Sequence, residues 1–351
     1  MRIAFVAHVN GGRSGVFHKI AGQIAEWRAR GHEVRALVAT RDDTTPWTEL
    51  QDVACHRYGG AVSRLNAMTR LVREARAFRP DVVYVRWDMF YPPMLWFPRR
   101  AALVAEVNTD DLAEYALGSS GRARYNSATR RFLLGRARAL VFVTDELSAS
   151  PSFRSFRGQH RVVTNGVRLD DYPHLPAPAN ERPRLAFVGT AGQPWHGIDK
   201  IVRLAAIRPD WQFDLVGMGT TTVDAPPNVT WHGQLERQGV LAVLARADVG
   251  IGTLALHRKS MSEACSLKVR EYLAVGLPVM YAYRDLDADS LGRYSLRISN
   301  SETNVEDDLA QIDSFVAASM GVRVPRASIA HIDMAHKEAE RLALFEALAD
   351  R

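Results

Sequence analysis

Short apolar runs alternate along the chain with longer segments in which apolar residues recur every three or four positions. In the first half the apolar runs are RIAFVAHV, VRALVAT, DVVYVRW, ALVAEVN and ALVFVT. Runs of this length predict strands buried on both faces, and the helical spacing between them predicts helices, including a long one over residues 112–137. This alternation is typical of βαβ units that form a parallel sheet covered by helices.

The second half repeats the pattern after an interruption. Residues 170–184, DDYPHLPAPANERPR, are rich in proline and polar residues and are predicted to be a linker. Strand-like runs then recur, with helices predicted around 198–207, 235–246 and 267–275. We therefore expect an α/β protein with two doubly wound domains, residues 1–168 and 169–325, that face a central cleft. The last segment, 326–351, has helical spacing and either completes the second domain or packs back on the first.

Composition restricts the class of protein. Of the 351 residues, 47% are hydrophobic and 24% are charged, as in ordinary globular proteins. No apolar run approaches the roughly 18 residues of a membrane-spanning helix, and the N-terminus does not resemble a signal peptide. Cys55 and Cys265 fall in different predicted domains, which argues against a disulfide framework. We expect a cytoplasmic protein, peripheral at the inner membrane surface at most.

The charge of the chain favours acidic ligands. The net charge is +6, which suits nucleotides, phosphates or anionic lipid, although a high usage of arginine is an equal explanation. No zinc finger, RNA-recognition signature or basic–aromatic repeat is present, so no nucleic-acid partner is predicted. The aromatic and basic run FYPPMLWFPRR, residues 90–100, leaves two interpretations open. It either contacts a membrane or a lipid-linked acceptor, or it is a packed helix between two strands.

One stretch, SEACSLKVREYLAVGLPV, carries candidate chemistry. It contains Glu263 and Glu271 with seven residues between them. Ser266 precedes a run of helix formers and Gly276 follows it, which are the start and stop signals of one short helix over 267–275. Glu263 is therefore expected in the loop before the helix, and Glu271 about one turn inside it.

A helix start offers unpaired N–H groups and partial positive charge. Ser266, Leu267 and Lys268 are therefore a candidate cradle for a diphosphate. Phosphate would repel carboxylates, so Glu263 and Glu271 are expected to bind neutral hydroxyl groups on either side, one on a ribose and one on a sugar. A nucleotide sugar has this order of parts: a ribose, a diphosphate and a sugar. The alternative is a solvated surface helix whose acids bind nothing.

The same stretch resembles the Glu-x7-Glu motif of the retaining glycosyltransferases of family four, which have the GT-B fold. In this fold two Rossmann-like domains face one another, and the C-terminal one binds the donor nucleotide. Five further stretches are similar to family motifs, in the family's order and over nearly the whole chain. They are GGRSGVFHKIAGQIAEWRARGHEV, TNGV, FVGTAGQPWHGIDKIV, DLVGMG and NVTWHGQL. In the family a proline usually follows the motif's serine, whereas here Leu267 follows Ser266.

The resemblance implies roles for individual residues. Glu271 would bind the donor ribose, and Glu263 would bind hydroxyl groups of the donor sugar and stabilise charge that develops at the anomeric carbon. Ser266, Leu267 and Lys268 would bind the diphosphate. The remaining donor-binding candidates are Gly11, Gly12, Gly189, Thr190, His196 and Gly217.

The chain departs from the family in its phosphate loop. Many members carry an arginine and a lysine there, whereas this chain has Thr190 in place of the arginine and His196 near the position of the lysine. Another cation would have to neutralise the pyrophosphate. The candidates are Lys200, Arg258, Lys259 and Lys268.

A second departure concerns the first domain. Asn108 stands where many relatives have a histidine near the donor sugar, and an amide cannot act as a general base at neutral pH. His18, on the first helix, is a further candidate catalytic residue, with a satisfied core or surface histidine as the alternative. Asp110 and Asp111 follow Asn108 at the strand end, where they either contact a ligand or cap a helix.

The function expected from the resemblance is transfer of a sugar from a nucleotide-diphosphate sugar to a hydroxyl acceptor, with retention at the anomeric carbon. The nucleotide sugar would be a co-substrate, and no cofactor or metal is predicted. The sequence DLDAD, residues 285–289, is expected to be a solvated turn. Two alternatives are a nucleotide-sugar epimerase of the same fold, which needs no acceptor, and a non-catalytic nucleotide-sugar binding protein.

Overall fold

The described chain divides into two compact units. The computed structural model describes residues 1–9, 15–42, 44–116, 118, 120–219 and 225–349. The first unit consists of Met1–Thr164 together with Met334–Arg351, and the second is Asn165–Asp333.

Each unit contains one sheet. The strands of the first are β1 (Arg2–His8), β2 (Glu33–Thr40), β3 (Val53–Arg57), β4 (Val82–Arg86), β5 (Ala102–Val107), β6 (Ala139–Phe142) and β7 (Gln159–Val162). Those of the second are β8 (Arg184–Val188), β9 (Gln212–Val216), β10 (Val229–Gly233), β11 (Val249–Ile251), β12 (Val279–Tyr281) and β13 (Ser295–Arg297).

Helices connect these strands. They are α1 (Gly15–Ala29), α2 (Thr45–Thr48), α3 (Ala61–Phe78), α4 (Asp111–Ala116), α5 (Ser120–Thr129), α6 (Arg131–Leu134), α7 (Asp145–Ala149), α8 (Ile198–Ile207), α9 (Arg237–Arg246), α10 (Leu267–Ala274), α11 (Asn304–Asp307), α12 (Leu309–Ser319) and α13 (Met334–Ala349). Segments of 3-10 helix cover Pro92–Trp96, Leu169–Asp171, Pro194–His196, Leu256–Lys259, Ala288–Tyr294 and Arg326–Ile332.

Both sheets are parallel and doubly wound. The strand order is β3-β2-β1-β4-β5-β6-β7 in the first unit and β10-β9-β8-β11-β12-β13 in the second. The order reverses between β1 and β4 and between β8 and β11, and ligands of such sheets bind at the carboxyl ends of the strands beside a reversal of this kind. The expectation of two doubly wound α/β sheets is confirmed.

In the second unit, the alternation of side chains along each strand supplies two cores. Leu185 and Phe187 of β8 pack in a cluster with α8 and α12, whereas Ala186 between them packs in a cluster with α9 and α10. Successive residues of a strand point to opposite faces, so a sheet buried on both sides needs a nearly continuous apolar run. The run RLAFV has this property.

In the first unit, the C-terminal helix α13 packs against α1 and the sheet. The Trp27 indole N–H donates a hydrogen bond of 2.8 Å to Glu338, and the Phe345 ring centroid lies 5.3 Å from those of Trp27 and Tyr84. All four residues are buried. The terminal helix thus contributes to the core of the unit that begins at residue 1.

Two boundaries differ from those expected. The predicted linker, residues 170–184, lies within the second unit, where the backbone N–H of Leu175 donates to the carbonyl of Val275. The terminal helix begins at Met334 instead of residue 326, because Ile329 and Ile332 are buried in a core of the second unit.

The single long helix predicted over 112–137 is wrong. Three shorter helices, α4, α5 and α6, occupy this segment. The sequence between α4 and α5 contains glycine and serine, which favour helix poorly. In addition, the Arg130 side chain near the start of α6 is fixed by two hydrogen bonds to Asp111 of α4, at 2.6 and 2.9 Å. This contact requires the chain to fold back on itself.

The aromatic and basic run is a short 3-10 helix, Pro92–Trp96, between β4 and β5. Met94 is buried, whereas the Trp96 side chain is 57% exposed and Leu95 is also exposed. Within the described residues, no helix has both the length and the apolar character needed to cross a bilayer.

Candidate functional site

The helix predicted from the serine and glycine signals is α10, which starts at Leu267 directly after Ser266 and ends at Ala274. Gly276 follows with a φ of +92°, a left-handed conformation that favours glycine. The helix prediction over 267–275 is therefore confirmed. The first N–H groups of α10 have no partner within the helix, as in every α-helix.

Lys268, in the first turn of α10, is the central cation of the second unit's candidate site. Its Nζ lies 4.0 Å from the centroid of the Phe187 ring, is buried, and has no hydrogen-bond partner in the described part of the chain. Burial lowers the pKa of Lys268 to about 7, and the carboxylate of Glu271 only partly opposes this shift. A buried ammonium without a partner is unfavourable, so the site is suited to an anion that would supply the missing charge.

His196 lies beside this lysine and is neutral. Its ring centroid is 5.3 Å from that of Phe187, and its Nδ1 is a second buried polar atom without a hydrogen-bond partner in the described residues. Burial and the charge of Lys268 lower the pKa of His196 to about 3. It therefore offers a hydrogen bond to a ligand but no positive charge. The neighbouring Thr190 is exposed, and its backbone contacts His196.

Two glycines allow close backbone approach at the carboxyl ends of β8 and β9. A Cβ on Gly189 would lie 2.5 Å from the Phe187 ring and 3.1 Å from His196. A Cβ on Gly217 would lie 1.8 Å from the carbonyl oxygen of Gly189, and Gly217 has a φ of +91°. A side chain at Gly189 would therefore collide with Phe187 and His196, and one at Gly217 would collide with the backbone of Gly189. The structure thus brings Gly189, Gly217, His196 and Lys268 together.

Glu271 is held on the same helix, one turn after Lys268. Burial raises its pKa, although a hydrogen bond with the Tyr172 hydroxyl and the charge of Arg237 act in the opposite direction. The Arg237 guanidinium lies 4.5 Å from the centroid of the Tyr172 ring. Tyr172 and Arg237 were missed by sequence reasoning, because nothing local in the sequence relates them to α10.

Glu263 lies in the loop before α10, as expected, and is buried. It forms an isolated parallel β-bridge with Arg284, and the two side chains are ion-paired. The Arg284 side chain is 51% exposed. This arginine was also missed from the sequence, and it gives the Glu263 carboxylate a fixed position.

Other cations considered for the phosphate loop have different partners. The Lys200 Nζ is enclosed and donates to the carbonyls of Ser301 and Glu302 at 2.5 and 2.8 Å. Arg258 makes two hydrogen bonds with Asp199, at 2.9 and 2.7 Å. Of the two possibilities left open for Lys200, the structure favours the one in which it does not compensate for the missing phosphate-loop arginine, since its ammonium connects α8 to the loop before α11.

The Asp-x-Asp sequence is not the solvated turn that was expected. Asp285 and Asp287 are buried, and the fully buried Arg270 of α10 donates to Asp285 at 2.8 Å and to Asp287 at 2.9 Å. The same guanidinium donates to the thiol sulfur of Cys265 at 3.0 Å. These residues fix α10 to the following loop and leave Cys265 a packed residue, as predicted.

Asn108 is one of the candidates in the first unit. Asn108 accepts a hydrogen bond of 2.9 Å from Lys19 and donates one of 3.1 Å to Glu106. Burial alone would raise the pKa of Glu106, but the charges of Lys19, Arg86 and Arg341 hold it well below its usual range. Asn108 is thus tied to a buried ion cluster.

The other candidates of the first unit are His18, Asp110, Asp111 and two glycines. His18 is half-buried, with its ring edge-on to Phe17. Asp110 accepts hydrogen bonds from the backbone of α4 at 3.1 and 3.3 Å, so it caps the helix, and Asp111 is paired with Arg130. Gly11 and Gly12 lie outside the described residues.

Comparison with known proteins shows what the chain resembles in sequence and in fold. Residues 14–166 match the family described as "Glycosyl transferase 4-like domain". No curated protein sequence matches the chain.

Solved structures show the fold. Sucrose-phosphate synthase from Thermosynechococcus elongatus aligns over 99% of this chain and 96% of its own, with 17% identity and a TM-score of 0.65. Anabaena HepE in complex with UDP-glucose aligns over 98% and 100%, with 15% identity and a TM-score of 0.67. The lipopolysaccharide outer core galactosyltransferase WaaB aligns over 99% and 100%, with 13% identity and a TM-score of 0.66.

These comparisons define the chain as a protein of the GT-B fold, with two Rossmann-like units. The family match shows in addition that residues 14–166 are similar to the domain of glycosyltransferases of the family-four type. The resemblance inferred from the sequence is confirmed at this level.

Proposed function

We propose that the protein is a retaining glycosyltransferase that moves a sugar from a UDP- or GDP-sugar to a hydroxyl acceptor in the synthesis of a glycan, glycolipid or secondary metabolite. The observation that carries the proposal is the buried Lys268 ammonium, which has no hydrogen-bond partner in the described residues and lies in the first turn of α10. Lys268, the helix N-terminus and two glycines suit a pyrophosphate. The solved structure of HepE with UDP-glucose is consistent with such a donor.

The two glutamates extend this assignment along the donor. Glu271, hydrogen-bonded to Tyr172, would bind the ribose, and Glu263, fixed by Arg284, would bind hydroxyl groups of the sugar. Carboxylates accept hydrogen bonds from hydroxyl groups, and both carboxylates already have donors that orient them. The buried Glu263 would also stabilise positive charge that develops at the anomeric carbon.

The reaction would proceed by front-face substitution. The bond between the anomeric carbon and the phosphate oxygen breaks, and a new bond forms between that carbon and the acceptor oxygen on the same face. The acceptor proton passes to the leaving phosphate oxygen, so no protein carboxylate needs to become the nucleophile. Lys268 and the N-terminus of α10 would neutralise the charge of the leaving nucleoside diphosphate without a metal ion.

Ligand-induced stabilisation tests the donor site first. UDP, GDP, ADP and dTDP are added separately, because a ligand of the folded state raises the Tm by mass action. We expect one nucleotide to raise the Tm of the wild type, and Lys268→Met and Glu271→Gln to reduce this shift. Arg182→Met, which removes an exposed cation before β8, should leave the shift unchanged. If no nucleotide stabilises the wild type at millimolar concentration, the proposal fails.

Product analysis then tests the reaction. With the sugar conjugate of the nucleotide that binds, and a simple alcohol as acceptor, NMR should show a glycoside with the anomeric configuration of the donor, because a glycoside does not mutarotate. Inversion would contradict retention. Conversion of the donor into an epimer with no acceptor present would favour the epimerase, and binding with no turnover would favour a binding protein.

We propose in addition that the protein contacts an anionic membrane surface through Leu95, Trp96, Arg99 and Arg100. These residues line an open cavity of about 520 Å³, and apolar side chains beside arginines suit the boundary between lipid headgroups and acyl chains. When phosphatidylglycerol vesicles are sedimented, the wild type should be found with the vesicles in the pellet, and Trp96→Ala should remain in the supernatant. Equal sedimentation with phosphatidylcholine vesicles would contradict the role of charge.

A further inference from the structure

A polar cluster of the first unit lies where its strand order reverses. β1 ends at His8 and its neighbour β4 ends at Arg86, two residues before Asp88. The His8 Nδ1 is 2.6 Å from a carboxylate oxygen of Asp88. A doubly wound sheet binds its ligands at this position, at the carboxyl ends of the two strands that flank the reversal.

Among the described residues, three donors orient the Asp88 carboxylate. His8 at 2.6 Å and the Tyr91 hydroxyl at 3.4 Å contact its Oδ2, and the Tyr115 hydroxyl contacts its Oδ1 at 2.5 Å. A carboxylate has about four acceptor positions, two on each oxygen. Within the part of the chain that the structure describes, one position on Oδ1 therefore remains, and the Asp88 side chain is 34% exposed. A ligand donor can reach it.

The groups around Asp88 indicate binding instead of proton removal. His8 has both ring nitrogens engaged, one with Asp88 and the other with the Tyr58 hydroxyl, so it positions the carboxylate. Burial would raise the pKa of Asp88, but the bonds from His8, Tyr115 and Tyr91 keep it below its usual value. A carboxylate with a lowered pKa is a weak base and a good hydrogen-bond acceptor.

Nearby cations restrict the chemistry of the ligand. The half-exposed Arg64 guanidinium lies 5.4 Å from the Tyr91 ring centroid and 6.0 Å from that of Tyr58, and Arg41 lies 5.7 Å from the Tyr58 centroid. A ligand carboxylate would be repelled by Asp88, and a ligand ammonium by the arginines. A neutral hydroxyl group both donates and accepts hydrogen bonds, so it suits a carboxylate whose neighbouring tyrosine rings carry guanidinium groups.

We propose that Asp88, oriented by His8 and Tyr115, binds a hydroxyl group of a neutral saccharide, which is the acceptor of the transfer reaction. That the saccharide is an acceptor rests on the proposed function. That the site binds a saccharide rests on the geometry of the first unit alone. Asp88 is then a substrate-binding residue, while His8 and Tyr115 are positioning residues.

Saccharide binding can be measured without a known acceptor. The probes are the methyl glycosides of glucose, galactose, mannose and rhamnose, titrated by saturation-transfer NMR, with methyl glucuronide and methyl glucosaminide as charged comparisons. We expect at least one neutral glycoside to bind the wild type more tightly than both charged ones. Asp88→Asn should weaken this binding about tenfold to a hundredfold, the range for a hydrogen bond to a charged group. Tyr115→Phe should weaken it several-fold.

Controls separate loss of the site from loss of the fold. Glu114→Gln removes an exposed carboxylate on α4, next in sequence to Tyr115, and should leave glycoside binding unchanged. If Asp88→Asn does not fold, Tyr115→Phe carries the test, since it retains the carboxylate. The proposal is overturned if no neutral glycoside binds the wild type, if a charged one binds best, or if the folded variants bind as the wild type does.

The saccharide site and the donor site can fail separately. A protein that binds a nucleotide but no glycoside would contradict the Asp88 proposal and leave the donor site intact. A protein that binds a glycoside through Asp88 but no nucleotide would contradict the transferase function and leave the saccharide site standing.

Discussion

The ammonium of Lys268 lies over the ring of Phe187, 4.0 Å from its centroid, and has no hydrogen-bond partner in the described part of the chain. Phe187 belongs to β8 and Lys268 to the first turn of α10, so the pair connects the two elements at which donor binding is proposed. An aromatic face can hold an ammonium without neutralising it. The charge therefore remains available to a ligand.

This arrangement predicts a pH-dependent affinity for a nucleotide sugar. The pKa of Lys268 without ligand is lowered to about 7 by burial, and a bound pyrophosphate would raise it. Binding then favours the protonated lysine, so affinity should be constant below pH 7. Above pH 7 it should fall by up to about tenfold per pH unit, until the pKa of the complex is reached.

Calorimetric titration between roughly pH 6 and 9 checks this dependence, with the sugar conjugate of the nucleotide that stabilises the protein, because its pyrophosphate does not titrate in that range. Lys268→Met should bind about tenfold more weakly or worse at pH 6 and lose the pH dependence. The same pH profile in wild type and variant would show that another group is responsible.

Gly217→Ala should destabilise the second unit. The new Cβ would lie 1.8 Å from the carbonyl oxygen of Gly189, and alanine would have to adopt a φ of +91°. Backbone strain and the clash together should cost about 3 kcal/mol or more. Gly292→Ala is the matched control, because Gly292 also has a positive φ but no atom within 4 Å of its Cβ position. Urea unfolding should show a smaller loss, about 1–2 kcal/mol, for the control.

Arg270→Leu should also destabilise the second unit, by about 3–5 kcal/mol, because it leaves Asp285 and Asp287 buried without their cation. The comparison is Arg297→Leu, whose half-exposed guanidinium pairs with Asp289 and should contribute about 0–1 kcal/mol. Chemical denaturation of both variants tests the difference. Similar losses in the two would mean that the buried cluster has little effect on stability.

Arg284→Ala and Glu263→Gln should separate transfer from nucleotide binding. Arg284 fixes the Glu263 carboxylate through an ion pair, and Glu263 is proposed to act at the sugar. Both variants should bind the nucleoside diphosphate of the donor as the wild type does and show a kcat lowered about tenfold or more. Arg284→Lys should recover part of the rate. A higher Kd for the nucleoside diphosphate in either variant would indicate that Glu263 and Arg284 act on the nucleotide instead of the sugar.

Sequence patterns predicted those features that depend on neighbouring residues. The apolar alternation of RLAFV and the serine and glycine around α10 are local signals, and both led to the correct elements. Glycines at the ends of β8 and β9 were also identified, because close backbone approach leaves a residue-type signal. The positions of Lys268 and Glu263 in the fold followed from these elements.

Interactions between distant segments could not be predicted in this way. Tyr172 and Arg237 lie far from Glu271 in sequence, and Lys200 has the right charge but is enclosed by backbone carbonyls. The polar sequence DLDAD was predicted to be a solvated turn. Its partner Arg270 lies on α10, so the local sequence gives no sign of the ion pair that buries it. Pairing of this kind depends on tertiary packing, which leaves no periodic pattern.

The position of α13 has a consequence for biosynthesis. The first unit consists of two segments separated by the whole of Asn165–Asp333, and its core needs Phe345 against Trp27 and Tyr84. A ribosome therefore releases the continuous second unit before the first can be completed. Translation proceeds at about 5–20 residues per second. Trp27 and Tyr84 of the early segment therefore lack their packing partner Phe345 until α13 has been synthesised. The first unit begins to be synthesised first but completes its core last. Its apolar residues are therefore the ones that a nascent-chain chaperone would need to protect.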